Sequence, residues 1–92
     1  MQYPKQKREQ DKKYLEYIRS LPCVVCDMPG EPHHVVSRKA YGSDYKAIPL
    51  SREYHSECHS IGKNTFQERY NLDFNEIIIK NLIGYIKRGR EK

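Results

Sequence analysis

Pro32-His33-His34-Val35-Val36, a polar stretch over residues 37–44 that contains Gly42, Tyr45-Lys46-Ala47-Ile48-Pro49, and then Ser51-Arg52-Glu53-Tyr54-His55-Ser56-Glu57-Cys58-His59-Ser60-Ile61-Gly62 decide the fold of this chain. The first run is short and β-prone. The second alternates like a strand over residues 45–48 and is stopped by Pro49. The third opens on Ser51, a good N-cap, and runs as a helix to Gly62, a good residue to end on. Two short strands and a medium loop form a hairpin that cannot stand alone. The helix that follows is its natural cover.

Working outward, Cys23-Val24-Val25-Cys26 and the turn signal Asp27-Met28-Pro29-Gly30 precede the hairpin. Before them, a helix is expected from about Asp11, with Tyr14, Leu15, Ile18 and Leu21 on one stripe and Lys12, Lys13, Glu16 and Arg19 outward. Pro22 ends it, because the residue before proline is pushed out of the helical region. After the hairpin, Asn64-Thr65-Phe66-Gln67 has capping-box spacing and starts a short helix through Tyr70. Asp73-Phe74-Asn75-Glu76 repeats the device. From there Phe74, Ile77, Ile78, Leu82, Tyr85 and Ile86 share a face until Lys87, Arg88 and Gly89 close the helix. Ile79 and Ile83 widen the apolar arc, so this helix suits either the centre of the core or a homodimer contact. The order is helix, Cys knuckle, hairpin, helix, helix, long helix. That is a small α+β domain with a local ββα unit. Residues 1–10 read as a basic mobile arm and residues 11–92 as one domain.

Composition narrows the function classes. At 92 residues, with 17 Lys+Arg against 12 Asp+Glu, the net charge is +5. A polyanion is the default partner, nucleic acid ahead of a membrane. Leu, Ile, Val and Phe number only 19, so the core is thin and a metal or a partner subunit would help it. No apolar run is long enough to span a membrane, and the first residues lack the apolar stretch of a secretory signal. Three cysteines, an odd number, argue against a secreted disulfide framework and for a reducing cytoplasm.

All 4 histidines lie in two pairs, His33-His34 and His55-x3-His59. Helical spacing of four puts His55 and His59 on one face, one turn apart. The intervening hairpin can bring the strand pair against that face. Three imidazoles at one point bind a transition-type divalent ion and leave coordination positions open. A spare imidazole beside an open position makes a hydrolytic site. Neighbours on a regular strand point to opposite faces, so His33 and His34 enter one site only from a strand end or bulge; otherwise one of them is structural.

Glu31-Pro32-His33-His34-Val35, a loop with Asp44, then Ile48-Pro49-Leu50-Ser51-x3-His55-x3-His59 resembles the HNH (ββα-metal) endonucleases. The likeness is greatest to small phage and prophage members, including recombination-enhancement nucleases that act on a RecA filament. It extends from about Tyr14 to the segment between Phe66 and Tyr70. It implies that His34 is the general base and that His33, His55 and His59 hold one divalent ion, Mg²⁺, Mn²⁺ or Zn²⁺. The family's middle Asn falls near Lys46, and Asp44 is the implied stand-in. It also implies DNA as substrate, nicked or cut with low sequence specificity, and a RecA-type recombinase filament or another phage protein as partner. Many members close a structural zinc with two Cys-x2-Cys pairs. Here Cys23 and Cys26 supply one pair, while the second pair's positions read Ser51 and Tyr54. A structural zinc would therefore need Cys23, Cys26, Cys58 and a histidine; the alternative is that the cysteines are ordinary core residues.

Arg38, Lys39 and Tyr41 in the loop, with Tyr45 and Lys46 beside them, suit phosphate contacts and stacking. Lys5, Lys7 and Arg8 at one end, and Lys87, Arg88, Arg90 and Lys92 at the other, add sequence-independent attraction. Two functional readings follow. One is a metal-dependent DNA endonuclease, self-sufficient or recruited as a catalytic cassette. The other is a non-catalytic zinc module that binds nucleic acid or protein, with the histidines as structural ligands.

Overall fold

The computed structural model describes residues 9–36 and 42–90. Most of the expected basic arm, and the loop residues Arg38, Lys39 and Tyr41, lie outside these. The described residues form a small α+β domain of four helices and a two-stranded sheet.

Helix α1 spans Lys12–Arg19. Asp11 caps it by accepting from the Tyr14 backbone N–H at 3.0 Å. Tyr14, Leu15 and Ile18 are buried, as their spacing predicts, but Leu21 lies beyond the helix. The chain there folds back on itself: Gly30 N–H donates to the Leu21 carbonyl and Cys23 N–H to the Met28 carbonyl. This knuckle requires Gly30 to be glycine, since a Cβ there would come within 2.5 Å of the Pro49 Cβ.

Strands β1, Glu31–His34, and β2, Ala47–Leu50, are antiparallel, with Pro32 opposite Pro49 and His33 opposite Ile48. The second strand was expected over residues 45–48 and ended by Pro49; instead it starts two residues later and contains Pro49. The register explains why. The Val35 N–H to Lys46 carbonyl bond makes the hydrogen-bonded rungs Glu31–Leu50 and His33–Ile48, so both prolines fall on a rung that needs no N–H. Pro49 turns its carbonyl to the other edge, where the Val24 N–H donates to it at 3.1 Å. Tyr45 and Lys46 belong to a 3₁₀ turn, Asp44–Lys46, that leads into β2.

Helix α2 spans Arg52–Ile61, α3 Lys63–Tyr70 and α4 Phe74–Arg90. Gly62, at φ 88°, ends α2 and opens α3, so Asn64 lies inside α3 rather than capping it. Gln67, expected to complete a capping box for α3, serves α4 instead by accepting from the Phe74 N–H at 2.7 Å. Asp73 accepts from the N–H groups of Asn75 and Glu76, which fixes the start of α4 as expected.

The core gathers Ile48, Leu50, Cys58, Phe66, Phe74 and Ile78. Burying such side chains stabilises by about 1.5–3 kcal/mol each, which is what lets so short a hairpin persist. On the other side Tyr14 packs edge-on to Tyr85, with ring centroids 5.0 Å apart, and joins α1 to α4. Helix α4 is buried along one side only. Ile86, expected on its inner face, is 53% exposed, as are Ile79 and Ile83 to similar degrees, so α4 is not the centre of the core.

Candidate functional site

The strand alternation separates the adjacent histidines. His33 turns toward α2 and is buried, 4% exposed. Its ring centroid lies 4.8 Å from that of His55 and 5.1 Å from that of His59. One ligand atom from each of the three can be chosen so that all lie within 4.8 Å of one another. Among the described residues this is the one group of three or more His, Cys, Asp or Glu that converges in this way. His55 and His59 meet because they are one helical turn apart on α2; His33 reaches them because β1 packs against that helix.

The chemistry of this donor set fits a metal ion. The Nδ1 of His33 is buried and has no hydrogen-bond partner, while its Nε2 contacts the Cys58 Sγ at 3.6 Å. Burial, then the neighbouring His55, His59 and His34, lower the His33 pKa to about 4. Burial and His59 also lower that of His55, against an opposing pull from Glu31. Both rings are thereby kept neutral, the state in which imidazole donates a lone pair to a metal. Glu31 approaches the Nδ1 of His55 to 3.6 Å and Arg52 to 3.6 Å. A carboxylate behind a ligating histidine orients the ring and raises its basicity. The sequence reading passed over Glu31 in this role, although its place two residues before His33 puts it on the same strand face.

His34 is not part of this three-histidine group. Its Nε2 lies 2.8 Å from the Asp44 Oδ1, and both groups are largely shielded from solvent. Asp44 is itself held from the start of α1, where the Asp11 backbone N–H donates to Oδ2 at 2.8 Å. Asp11 in turn accepts from the Tyr45 hydroxyl at 2.7 Å. The Asp44 N–H donates to the Glu9 carbonyl, so the inner end of the expected arm is bonded to the hairpin. Because β1 ends at His34, all four histidines line one cleft of about 610 Å³. Arg19, expected to face outward, lines it too, as does Lys63.

Among the described residues, Cys23, Cys26 and Cys58 do not converge with a histidine on one point. Cys58 packs against His33, while Cys23 and Cys26 sit in the knuckle. Burial raises the Cys23 pKa, but N–H groups of Ser51, Val25 and Cys26 outweigh it and leave the value lowered. Cys26 Sγ contacts the Ser51 hydroxyl at 3.7 Å. Ser51, at the N-cap position of α2, makes no side-chain capping bond. Lys46 is exposed and does not line the cleft. Arg38, Lys39 and Tyr41 lie outside the described residues.

A family model described as "Protein of unknown function (DUF968)" matches residues 1–83. The chain belongs to the DUF968 family. It is also 33% identical, over 76 residues, to a protein of Escherichia coli (strain K12) titled "Uncharacterized protein YdfU". That match covers 76% of this chain but only 22% of the relative. No solved structure matches the chain. The matched DUF968 segment includes every histidine and cysteine discussed above, together with Glu31 and Asp44.

Proposed function

We propose that this chain is a metal-dependent endonuclease of the HNH type, hydrolysing phosphodiester bonds of DNA with low sequence specificity. The observation that carries this reading is the pairing of two devices in one cleft: the convergent His33, His55 and His59, and the His34–Asp44 couple at 2.8 Å. The antiparallel strands followed by α2 also have the order of the ββα-metal unit.

His33, His55 and His59 would hold one divalent ion. Such an ion supplies Lewis-acid stabilisation of the scissile phosphate and of the leaving oxygen. The remaining steps fall to the protein. Asp44 Oδ1 accepts the Nε2–H of His34 and so fixes the tautomer, which leaves the lone pair on Nδ1. His34 Nδ1 takes a proton from water and becomes an imidazolium, which the Asp44 carboxylate stabilises in a shielded setting. Glu31, 3.6 Å from the His55 Nδ1, would orient that ring toward the ion.

A supercoiled-plasmid nicking assay with Mg²⁺, Mn²⁺ or EDTA, running wild type beside His34→Ala, tests the proposal. Metal-dependent nicking that is lost in the variant is expected. If neither nicks, the assay is repeated on single-stranded DNA coated with a RecA-type filament. Activity there supports a recruited cassette, and inactivity there favours the non-catalytic zinc module.

A further inference from the structure

We propose that the exposed isoleucine face of α4 is a self-association surface, on which α4 of a second copy of this chain packs antiparallel. The inference rests on that surface alone and is independent of the endonuclease reading.

Ile79, Ile83 and Ile86 follow one another at spacings of four and three, which keeps them on one stripe of α4. These are the spacings of a seam between two helices. All three side chains are about half exposed. The rest of the apolar arc is spent on the fold: Phe74 and Ile78 enter the core, and Tyr85 packs on Tyr14. Helix propensity does not account for the stripe, because Ala, Glu, Lys or Gln would serve a solvated helix surface better than Ile. Nor does economy of apolar side chains, since Leu, Ile, Val and Phe number only 19 in this chain.

The relief of the face suits a two-fold contact, in which one patch meets its own copy. Beside the stripe, α1 and α4 border a groove of about 550 Å³ whose lining includes Tyr17, Tyr85 and Ile86. Antiparallel packing sets the ridge of Ile79 and Ile83 of each copy toward this groove of the other.

Charge selects the occupant and its direction. Glu76 lies one turn before Ile79 and Lys87 one turn after Ile83, and both are exposed beside the stripe. Antiparallel helices bring Glu76 of each copy toward Lys87 of the other, and their dipoles are opposed favourably. Parallel helices would set Lys87 against Lys87. The chain's own residues 1–8 are a poorer match, with Lys5, Lys7 and Arg8 but no carboxylate to set beside Lys80 and Lys87. Helix α4 has 17 residues, about 25 Å of length, so the seam is short and the dimer is of the weak, concentration-dependent kind.

Sedimentation equilibrium of the full chain tests this from micromolar to near-millimolar concentration, in EDTA so that no metal bridges surface histidines. A reversible monomer–dimer equilibrium is expected. Ile83→Glu should raise the dimer Kd at least about tenfold, with the monomer fold retained by amide NMR. Ile79→Ser, at the most exposed of the three positions, replaces that variant if it fails to fold. Glu76→Lys and Lys87→Glu should each weaken association about threefold or more, and the two combined in one chain should restore it. A chain that stays monomeric throughout the range would overturn the proposal, as would a folded Ile83→Glu variant that dimerises like wild type. A double reversal no tighter than either single one would overturn it too, by removing the antiparallel pairing.

Discussion

His34 and Asp44, ten positions apart in sequence, meet at 2.8 Å between Nε2 and Oδ1 across the opening of the hairpin loop. One residue ends β1 and the other opens the turn into β2. The couple ties the hairpin to α1 as well, because the Asp11 N–H holds the second Asp44 oxygen.

In the proposed reaction this couple supplies the base. His34→Ala should lower the nicking rate by about 10²–10⁴-fold, the usual contribution of general acid–base catalysis. Asp44→Asn should lower it as well, by more than tenfold, with metal affinity unchanged. Unaltered nicking by either variant in a single-turnover assay would remove the base assignment.

Glu31 should matter to the metal rather than to the proton. Glu31→Gln removes the carboxylate behind His55 and should weaken Mn²⁺ or Zn²⁺ binding by about tenfold, at the low end for an outer-shell partner. Calorimetric titration measures it, and an affinity equal to wild type would assign Glu31 to Arg52 alone.

Metal stoichiometry separates the histidines from the cysteines. Wild type and Cys26→Ser should each bind one ion per chain, whereas His55→Ala should bind none under the same conditions. A second ion in the wild type that disappears in Cys26→Ser would show a zinc held at the knuckle.

The metal-free protein should lose stability on mild acidification. Burial holds the His33 pKa down at about 4, against an ordinary value of 6.5. Between those values the unfolded chain binds the proton and the folded one does not, so stability falls as pH falls through that window. The loss is on the order of 3 kcal/mol at full extent. Urea unfolding in EDTA from pH 7 down to pH 4 reads it, and His33→Phe should flatten the profile.

Gly30→Ala should destabilise the domain by about 1–3 kcal/mol, through overpacking of the knuckle against β2. The added Cβ would lie 2.5 Å from the Pro49 Cβ and 3.0 Å from the Leu21 carbonyl oxygen. A denaturant midpoint equal to wild type would show that the knuckle gives way freely.

Local signals were legible wherever one helix or one cap decided them. The stripe of Tyr14, Leu15 and Ile18, the Asp73 cap and the single face shared by His55 and His59 follow from helical period and capping chemistry, and the structure has them. Readings failed where the partner lay outside the window. Pro49 looked like a strand breaker because a lone sequence does not say which rung it will occupy; opposite Pro32 it costs no hydrogen bond. Gln67 looked like the second half of a capping box, but its side chain reaches forward to Phe74. Ile86 belonged to the apolar arc of α4, and only the placement of α1 and β2 against that helix left it exposed.

By itself the sequence determined a small α+β chain with a basic balance, four histidines in two pairs, and adjacent strand histidines that can share one site only from a strand end or bulge. Each of these rests on composition or on a backbone period that sterics impose within a few residues. The family resemblance implied His33 beside His55 and His59, and Asp44 in the site; tertiary structure alone decided how close these groups come, that Asp44 reaches His34, that Glu31 approaches His55, and that Lys63 and Arg19 border the same cleft. Those relations span elements far apart in the chain. Their distances are set by how Ile48, Leu50, Phe66 and Phe74 pack β2, α3 and α4 into one core, a collective fit that no local period encodes.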